Sequence, residues 1–490
     1  MSRYFLLLLA LTGCASGLAT SPRSPESGPT VTFLHFNDIY EITPVAGGAS
    51  GGLARFATIR RELVASSSTV ITTLGGDYLS PSAMGLAVVD GQRLAGRQMV
   101  ATLNAVGVDW AVLGNHEFDL RESEFRQRLS ESRFRIVASN VTDSAGNRFH
   151  GTVRNGIMRV PTRRGELRIG MIGLTINSNR PAWVRFEDPM VAARREIAEF
   201  GDSVDAIVAL THLTLAQDQL LAEALPAITV ILGGHEHENH VVRRGPRFTP
   251  IIKADANVRT VAVVTLTWPS GGAAPLVQSN LRVLDSAIAE SPDVGREVAE
   301  WVARSDAAYR AEGLEPGAAV ATIDEPLDGR EAVVRTRPGP LTALIAEALR
   351  REVPGADVGV MNGGSIRIDD VIPAGVVTQY DVIRILPFGG NVVETTMTGS
   401  LLDRVLTQGE ANRGSGGYLH AAGAAREGTR WLVGGVPIDR ARTYRVATTD
   451  FLLTGRETGL DWLKPGNPDL GPVQPHRDIR VAVIEMLRSR

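Results

Sequence analysis

The chain has a single cysteine, Cys14, among 490 residues, which excludes any intrachain disulfide. It also lacks a surplus of basic charge. Its 51 Lys+Arg against 54 Asp+Glu leave a net charge of −3, which excludes the broad electropositive face of a nucleic-acid binder and leaves room only for local basic pockets. Beyond the first residues no stretch is long and apolar enough to span a bilayer. There is no internal repeat and no long low-complexity tract. What is present is a 43% apolar, 21% charged composition, enough to bury a large core. The length predicts two or three domains.

The N-terminus reads as a processing signal. Arg3 precedes an apolar run over residues 4–11, too short to cross a membrane, and small residues follow. The tetrapeptide LTGC at 11–14 resembles the bacterial lipoprotein box, in which the chain is cut before the cysteine. Residues 1–13 are then a signal peptide, and a lipidated Cys14 would be the membrane anchor. Ala15 is not the acidic residue that retains lipoproteins in an inner membrane, so the expected address is the outer membrane, facing the periplasm. Residues 14–30 are rich in Ser, Pro and Gly and read as a flexible tether.

Five short apolar runs follow, each of strand length and rich in aliphatic or β-branched residues. Each ends in a polar motif: Asp38; Gly75-Gly76-Asp77; Gly114-Asn115-His116-Glu117; Thr211-His212; and Gly233-Gly234-His235-Glu236-His237. Amphipathic helical patterns lie between several of them, at 51–63 and 189–201. This alternation predicts a layered α/β domain over 31–286, with ligands gathered at the carboxyl ends of the strands. Residues 287–313 read as one long amphipathic helix starting after Pro292, a stiff linker. A second α/β domain occupies 314–490. It has helices at 340–353 and 477–490, a strand into a loop at 357–367, and a strand at 443–453.

Asp38, Asp77, Asn115, His212, His235 and His237 offer the mixture a two-metal site requires. Carboxylate can bridge two ions, neutral imidazoles add no charge, and positions stay open for water and phosphate. The glycines before Asp77, Asn115 and His235 suit tight turns at the metals. Any one of these residues alone has a plainer reading as a turn cap or a hydrogen-bonded surface histidine; the ordered set is far more specific.

The order D…GD…GNHE…H…GHxH resembles that of the calcineurin-like metallophosphoesterases. Through the second domain the wider match is to the bacterial 5′-nucleotidase/UDP-sugar hydrolase family. That resemblance implies a four-layer α/β/β/α phosphoesterase domain followed by an α/β substrate-binding domain. It implies two divalent or mixed-valence metal ions, drawn from Zn, Mn, Fe or Co. Asp77 would bridge them, Asp38 and His237 would hold one, and Asn115, His212 and His235 the other. His116 would face the phosphate, oriented by Asp119. The implied reaction is attack of a metal-bound hydroxide on the phosphorus of a nucleotide. Glu117 is read as an acid favoured at a helix N-terminus.

The same resemblance places substrate contacts in the second domain. Arg335 and Arg367 match phosphate-binding arginines, and Asn362 and Gly364 match the loop beside them. Phe388 and Phe451 stand at two base-stacking positions, where simple core packing is the alternative. Glu457 stands where the family has a sugar-contacting Asp, and Gly390 where it has a base-contacting Asn. Tyr40 replaces a histidine two residues after the first Asp. It is open to three readings: metal ligand, hydrogen-bonding neighbour of the ligands, or packing. These departures leave a non-nucleoside phosphoester, a cyclic nucleotide or a nucleotide sugar as alternative substrates. A surface lipoprotein that binds ligand without turnover is the alternative of another class.

Overall fold

The structure, a computed structural model, describes residues 28–67, 69–162, 165–269 and 274–489. The signal peptide, Cys14 and all of the tether up to residue 27 lie outside the described residues. Among the described residues no helix is long and apolar enough to cross a membrane.

The first domain is built on two sheets packed face to face. In the seven-stranded sheet Val70–Leu74 lies at the centre, with Thr30–Phe36 parallel to it on one side and Trp110–Val112 on the other. The six-stranded sheet runs Ala206–His212 parallel to Val230–Gly233 and to Gly165–Thr175. Strand alternation explains the layering. Val31 and Phe33 enter the core between the sheets, with Val208, Leu210, Val230 and Leu232 opposite. Leu34 and Phe36 point the other way, against the helices Leu53–Ser66 and Arg97–Val106. On the far side, Pro189–Phe200 and Leu215–Ala224 cover the second sheet through Ala192, Ala193 and Leu221. The result is the four-layer α/β/β/α sandwich.

His35, on the inter-sheet face of the first strand, ties the two sheets together. Its Nε2–H donates to the Gly233 carbonyl and its Nδ1 accepts from the Thr73 hydroxyl, both at 3.0 Å. Burial holds its pKa down to about 4, so the ring is neutral.

The long helix spans Pro292–Ala311. Pro292 is its first residue rather than the residue before it, since a fixed φ and a missing N–H cost nothing at that position. The helix does not stand free between domains. Arg97 lies over the Trp301 ring at 5.6 Å, and the Tyr309 hydroxyl donates to the Ala83 carbonyl at 2.5 Å, so it is seated on the first domain.

The second domain has a five-stranded sheet in which Val358–Asn362 is flanked by Leu419–Ala422 and Thr443–Thr449. The helices Pro340–Glu352 and Ile479–Arg488 pack together against the side that faces the interdomain core. Gly399–Ala411 covers the other face.

Candidate active site

All five strand exits of the first domain meet at one edge. Four of the six candidate ligands have a left-handed backbone there: Asp38 (φ 50°), Asp77 (φ 52°), His235 (φ 96°) and His237 (φ 59°). Non-glycine residues rarely adopt this conformation, and such strain gathers at functional sites. The glycines serve a second purpose besides turning. Gly76 does have a positive φ. Gly114 and Gly234 do not; they make room. A Cβ on Gly114 would lie 2.1 Å from Asp77 Oδ1, and one on Gly234 would lie 2.8 Å from Asp38 Oδ2.

The carboxylates are fixed from behind. Asp38 Oδ2 accepts from Asn37 Nδ2 (2.7 Å) and from the His235 backbone N–H (2.8 Å). Asp77 Oδ1 accepts from the His116 backbone N–H at 2.8 Å. The free oxygens face one another's partners. Asp77 Oδ2 lies 3.2 Å from His212 Nε2 and 3.3 Å from the Tyr40 hydroxyl. Asp38 Oδ1 lies 3.3 Å from His237 Nε2. One ligand atom each from Asp38, Asp77 and His212 falls within a sphere of 4.8 Å mutual separation. His235 completes the group with its ring edge-on to His212, centroids 5.2 Å apart.

This donor set fits a cation. His212 Nδ1–H donates to the Gly75 carbonyl at 2.8 Å, and a carbonyl can only accept. A neutral His212 therefore turns the lone pair of Nε2 toward Asp77 Oδ2 and toward Asn115 Oδ1 at 3.2 Å. Three acceptors facing one another need positive charge between them. With no ion bound, a proton on Nε2 supplies that charge: burial opposes protonation of His212, yet Asp77 and Asp38 push its pKa up to about 9. The Asp38 carboxyl, against its own burial, is held far below its usual range by His212 and His237.

Tyr40 is not mere packing. Its hydroxyl points into the site, 2.8 Å from His237 Nε2 and 3.5 Å from Asp38 Oδ1. His116 Nδ1 pairs with Asp119 Oδ2 at 2.6 Å, and Asp119 accepts from Asn179 Nδ2 at 2.6 Å.

Glu117 stands in the first turn of the short helix His116–Asp119, as an acid at a helix start, and it is also a fully buried acceptor under the site. Its carboxylate takes the backbone N–H groups of Asp77 (3.0 Å), Tyr78 (2.7 Å) and Leu79 (3.0 Å), and that of Gly114. It thereby ties the Asp77 loop to the Asn115 loop. Two further groups escaped the sequence reading. Lys253, fully buried, donates to the carbonyls of Leu213 (2.6 Å) and Gly234 (2.8 Å) and pairs with Asp218 at 2.9 Å, bracing the His235–His237 loop. Asp369, from the second domain, pairs with His237 Nδ1. The only sequence signal for either was a charged residue inside or beside a strand.

A cleft of about 850 Å³ lies over the site, lined by Asp77, His116, His235 and His237 on one side and by Arg335 and Asp369 on the other. A second cleft, of about 530 Å³, is lined by Asn362, Gly364, Phe388, Phe451 and Glu457. Of the expected substrate contacts, Arg335 therefore stands apart from these five. Arg367 links the two places: its guanidinium is 3.7 Å from Asp119 and lies 5.9 Å from the Phe388 ring centre. Phe388 is 61% exposed and Phe451 40% exposed, which rules out core packing for either ring. Glu457 accepts from Asn362 Nδ2 at 2.8 Å. Gly390 has φ 97°, and a Cβ there would lie 2.8 Å from Asp450 Oδ1, so the Asp450 carboxylate crowds the place of the missing asparagine.

Strand-end carboxylates, an amide and imidazoles on a four-layer sandwich define a metallophosphoesterase, a phosphoester hydrolase dependent on divalent metal ions. Known proteins carry the assignment further. Residues 31–239 match the calcineurin-like phosphoesterase family, and residues 319–465 match the 5′-nucleotidase C-terminal domain. The chain belongs to the family that joins these two domains. It is 27% identical over 512 residues to a 5′-nucleotidase of Vibrio cholerae, covering 92% of this chain and 89% of that protein. It is 25% identical over 526 residues to the protein UshA of Escherichia coli, covering 90% and 88%. The fold is shared with the crystal structure of a 5′-nucleotidase precursor from Thermus thermophilus, with a TM-score of 0.71 at 24% identity, over 94% of this chain and 96% of that one.

Proposed function

We propose that this protein is an exported, lipid-anchored phosphohydrolase that binds two metal ions and acts on nucleotides. The observation that carries the reading is the placement of Asp77 Oδ2, which faces His212 on one side and Tyr40 on the other. A single carboxylate oxygen shared between two donor groups suits a bridging ligand. Asp38 and His237, with Tyr40 beside them, make one donor group; Asn115, His212 and His235 make the other. Bound there, two ions would acidify a water molecule and draw charge from the phosphoryl oxygens.

The chain's own residues do the rest. His116, aligned by Asp119, hydrogen-bonds the phosphoryl group and meets the charge that develops on the leaving oxygen. Arg335 and Arg367 hold phosphate oxygens through their planar guanidinium groups. Phe388 and Phe451 take a base between their faces, and Glu457, kept in place by Asn362, accepts from sugar hydroxyls. Arg367 spans both places, as a residue joining phosphate to nucleoside should.

The reading is tested with metal-reconstituted protein against AMP, UDP-glucose and bis(p-nitrophenyl) phosphate. Fastest turnover of AMP supports it. Preference for bis(p-nitrophenyl) phosphate moves the protein to a phosphodiesterase. The anchor is tested by palmitate labelling, which Cys14→Ser abolishes while releasing the protein from the membrane fraction.

A further inference from the structure

The two halves of the donor set differ in what stands behind them. His212 is braced by Gly75, and Asn115 by the loop that Glu117 ties down, all within the first domain. The half made by Asp38, Tyr40 and His237 is braced from the second domain. Asp369 Oδ2 pairs with His237 Nδ1, while Asp369 Oδ1 accepts the Glu331 N–H at 2.6 Å. A carboxylate can only accept, so the proton of His237 sits on Nδ1 and the lone pair of Nε2 turns to Asp38 and Tyr40.

The neighbouring residue adds a second brace. Asp370 bonds Arg259 of the first domain at 3.2 Å and Arg384 of the second at 3.4 Å. Arg384 and the Tyr380 hydroxyl in turn hold Glu41, next to Tyr40, at 3.3 and 2.9 Å. Glu41, Asp370 and Arg384 are all buried. The loop that carries Arg259 grips the same half of the site: Asn257 accepts the Tyr40 N–H at 2.9 Å and donates its own N–H to the Asp38 carbonyl at 2.8 Å, and Ala256 N–H reaches the His237 carbonyl at 3.1 Å.

We propose that Asp369 is a positioning residue that acts through His237, and that binding of the metal at the Asp38–Tyr40–His237 end is coupled to docking of the second domain, whereas binding at the Asn115–His212–His235 end is not. Carboxylates behind a metal-ligating histidine fix its tautomer and ring orientation and raise its basicity. Here the carboxylate arrives from another domain, on the segment that also bears Arg367. Metal occupancy and the seating of a phosphate-binding arginine thus share one loop. The coupling is reciprocal: what stabilises docking tightens the metal, and the metal stabilises docking.

This rests on the reading of His237 as a ligand, and the experiment separates the two. Mn²⁺ binding to the full chain is measured by calorimetry with a competing chelator. Wild type binds two equivalents. Asp369→Asn and Asp369→Ala weaken one equivalent by about 10–100-fold and leave the other unchanged. The unchanged equivalent also reports that the first domain is folded. Arg384→Gln, which does not touch His237, weakens the same equivalent by a smaller factor. Mn²⁺ slows amide exchange over residues 366–372 in wild type but not in Asp369→Ala. Two wild-type equivalents with both affinities unchanged in the Asp369 variants would overturn the proposal alone, as would equal weakening of both. Fewer than two equivalents in wild type would overturn the ligand reading and the proposal with it.

Discussion

At the strand exits of the first domain the carboxylates are pinned. Asp38 and Asp77 are buried, each with an oxygen held by backbone N–H, on strand exits whose left-handed turns leave little alternative. In the second cleft two aromatic rings stand in the open, Phe388 on a loop and Phe451 at the start of a short helical turn, with glycines around them. The contrast suits the work proposed for each. A reacting phosphate needs charge held to within a fraction of an ångström, and that precision comes from sheets. A flat base needs two faces and tolerates variety, so loops suffice. The same contrast separates what this chain keeps of its family's pattern from what it alters: Glu457 lines the cleft, Gly390 lies against Asp450 in its wall, and only Tyr40 lies among the candidate metal ligands.

Substitutions at the centre should cost turnover or folding, and those in the cleft selectivity. Asp77→Asn should lower phosphate release about 10³-fold or more while the thermal midpoint stays near that of wild type. Retained turnover would remove Asp77 from the centre. Glu117→Ala leaves four backbone N–H groups without their acceptor and should destabilise the protein by about 3–5 kcal/mol in denaturant unfolding. A loss under about 1 kcal/mol would mean that water replaces the carboxylate.

His35 gives a pH signature of the pinned side. Its folded pKa lies near 4, below the ordinary 6.5, so the unfolded chain binds the proton more tightly. Stability from this group is therefore full above pH 6.5 and is lost as pH falls toward 4, by about 3 kcal/mol. In metal-free protein, His35→Gln should flatten that part of the stability curve. In the open cleft, Phe388→Ala should weaken AMP by about 1–3 kcal/mol, read as a raised KM. The change for p-nitrophenyl phosphate, which has no base, should be far smaller. Equal losses on both substrates would erase the distinction between centre and cleft.

Much of this is legible in the sequence. The strand runs, the layers and the candidate ligands are visible because a strand exit and its polar motif are contiguous in sequence. The second role of Glu117 is hidden because its four donors include three from a loop some forty positions earlier. Asp369 and Lys253 were invisible for the same reason: Asp369 meets its histidine across 132 positions, and Lys253 meets Leu213 across 40. Gly114 and Gly234 were assigned to turning when their space goes to carboxylates. Local pattern exposes the groups that do chemistry. It hides the groups that hold them.

In the function proposed here, one buried centre, loaded with two ions, hydrolyses nucleotides delivered across the domain interface. The most direct test follows phosphate release from AMP by EDTA-stripped protein as Mn²⁺ is returned and bound Mn²⁺ is counted. The stripped protein should be silent, and activity should rise with occupancy to a plateau at two ions per chain. Protein that holds two ions and stays silent on AMP, UDP-glucose and bis(p-nitrophenyl) phosphate would contradict a hydrolase and leave a ligand-binding lipoprotein in its place.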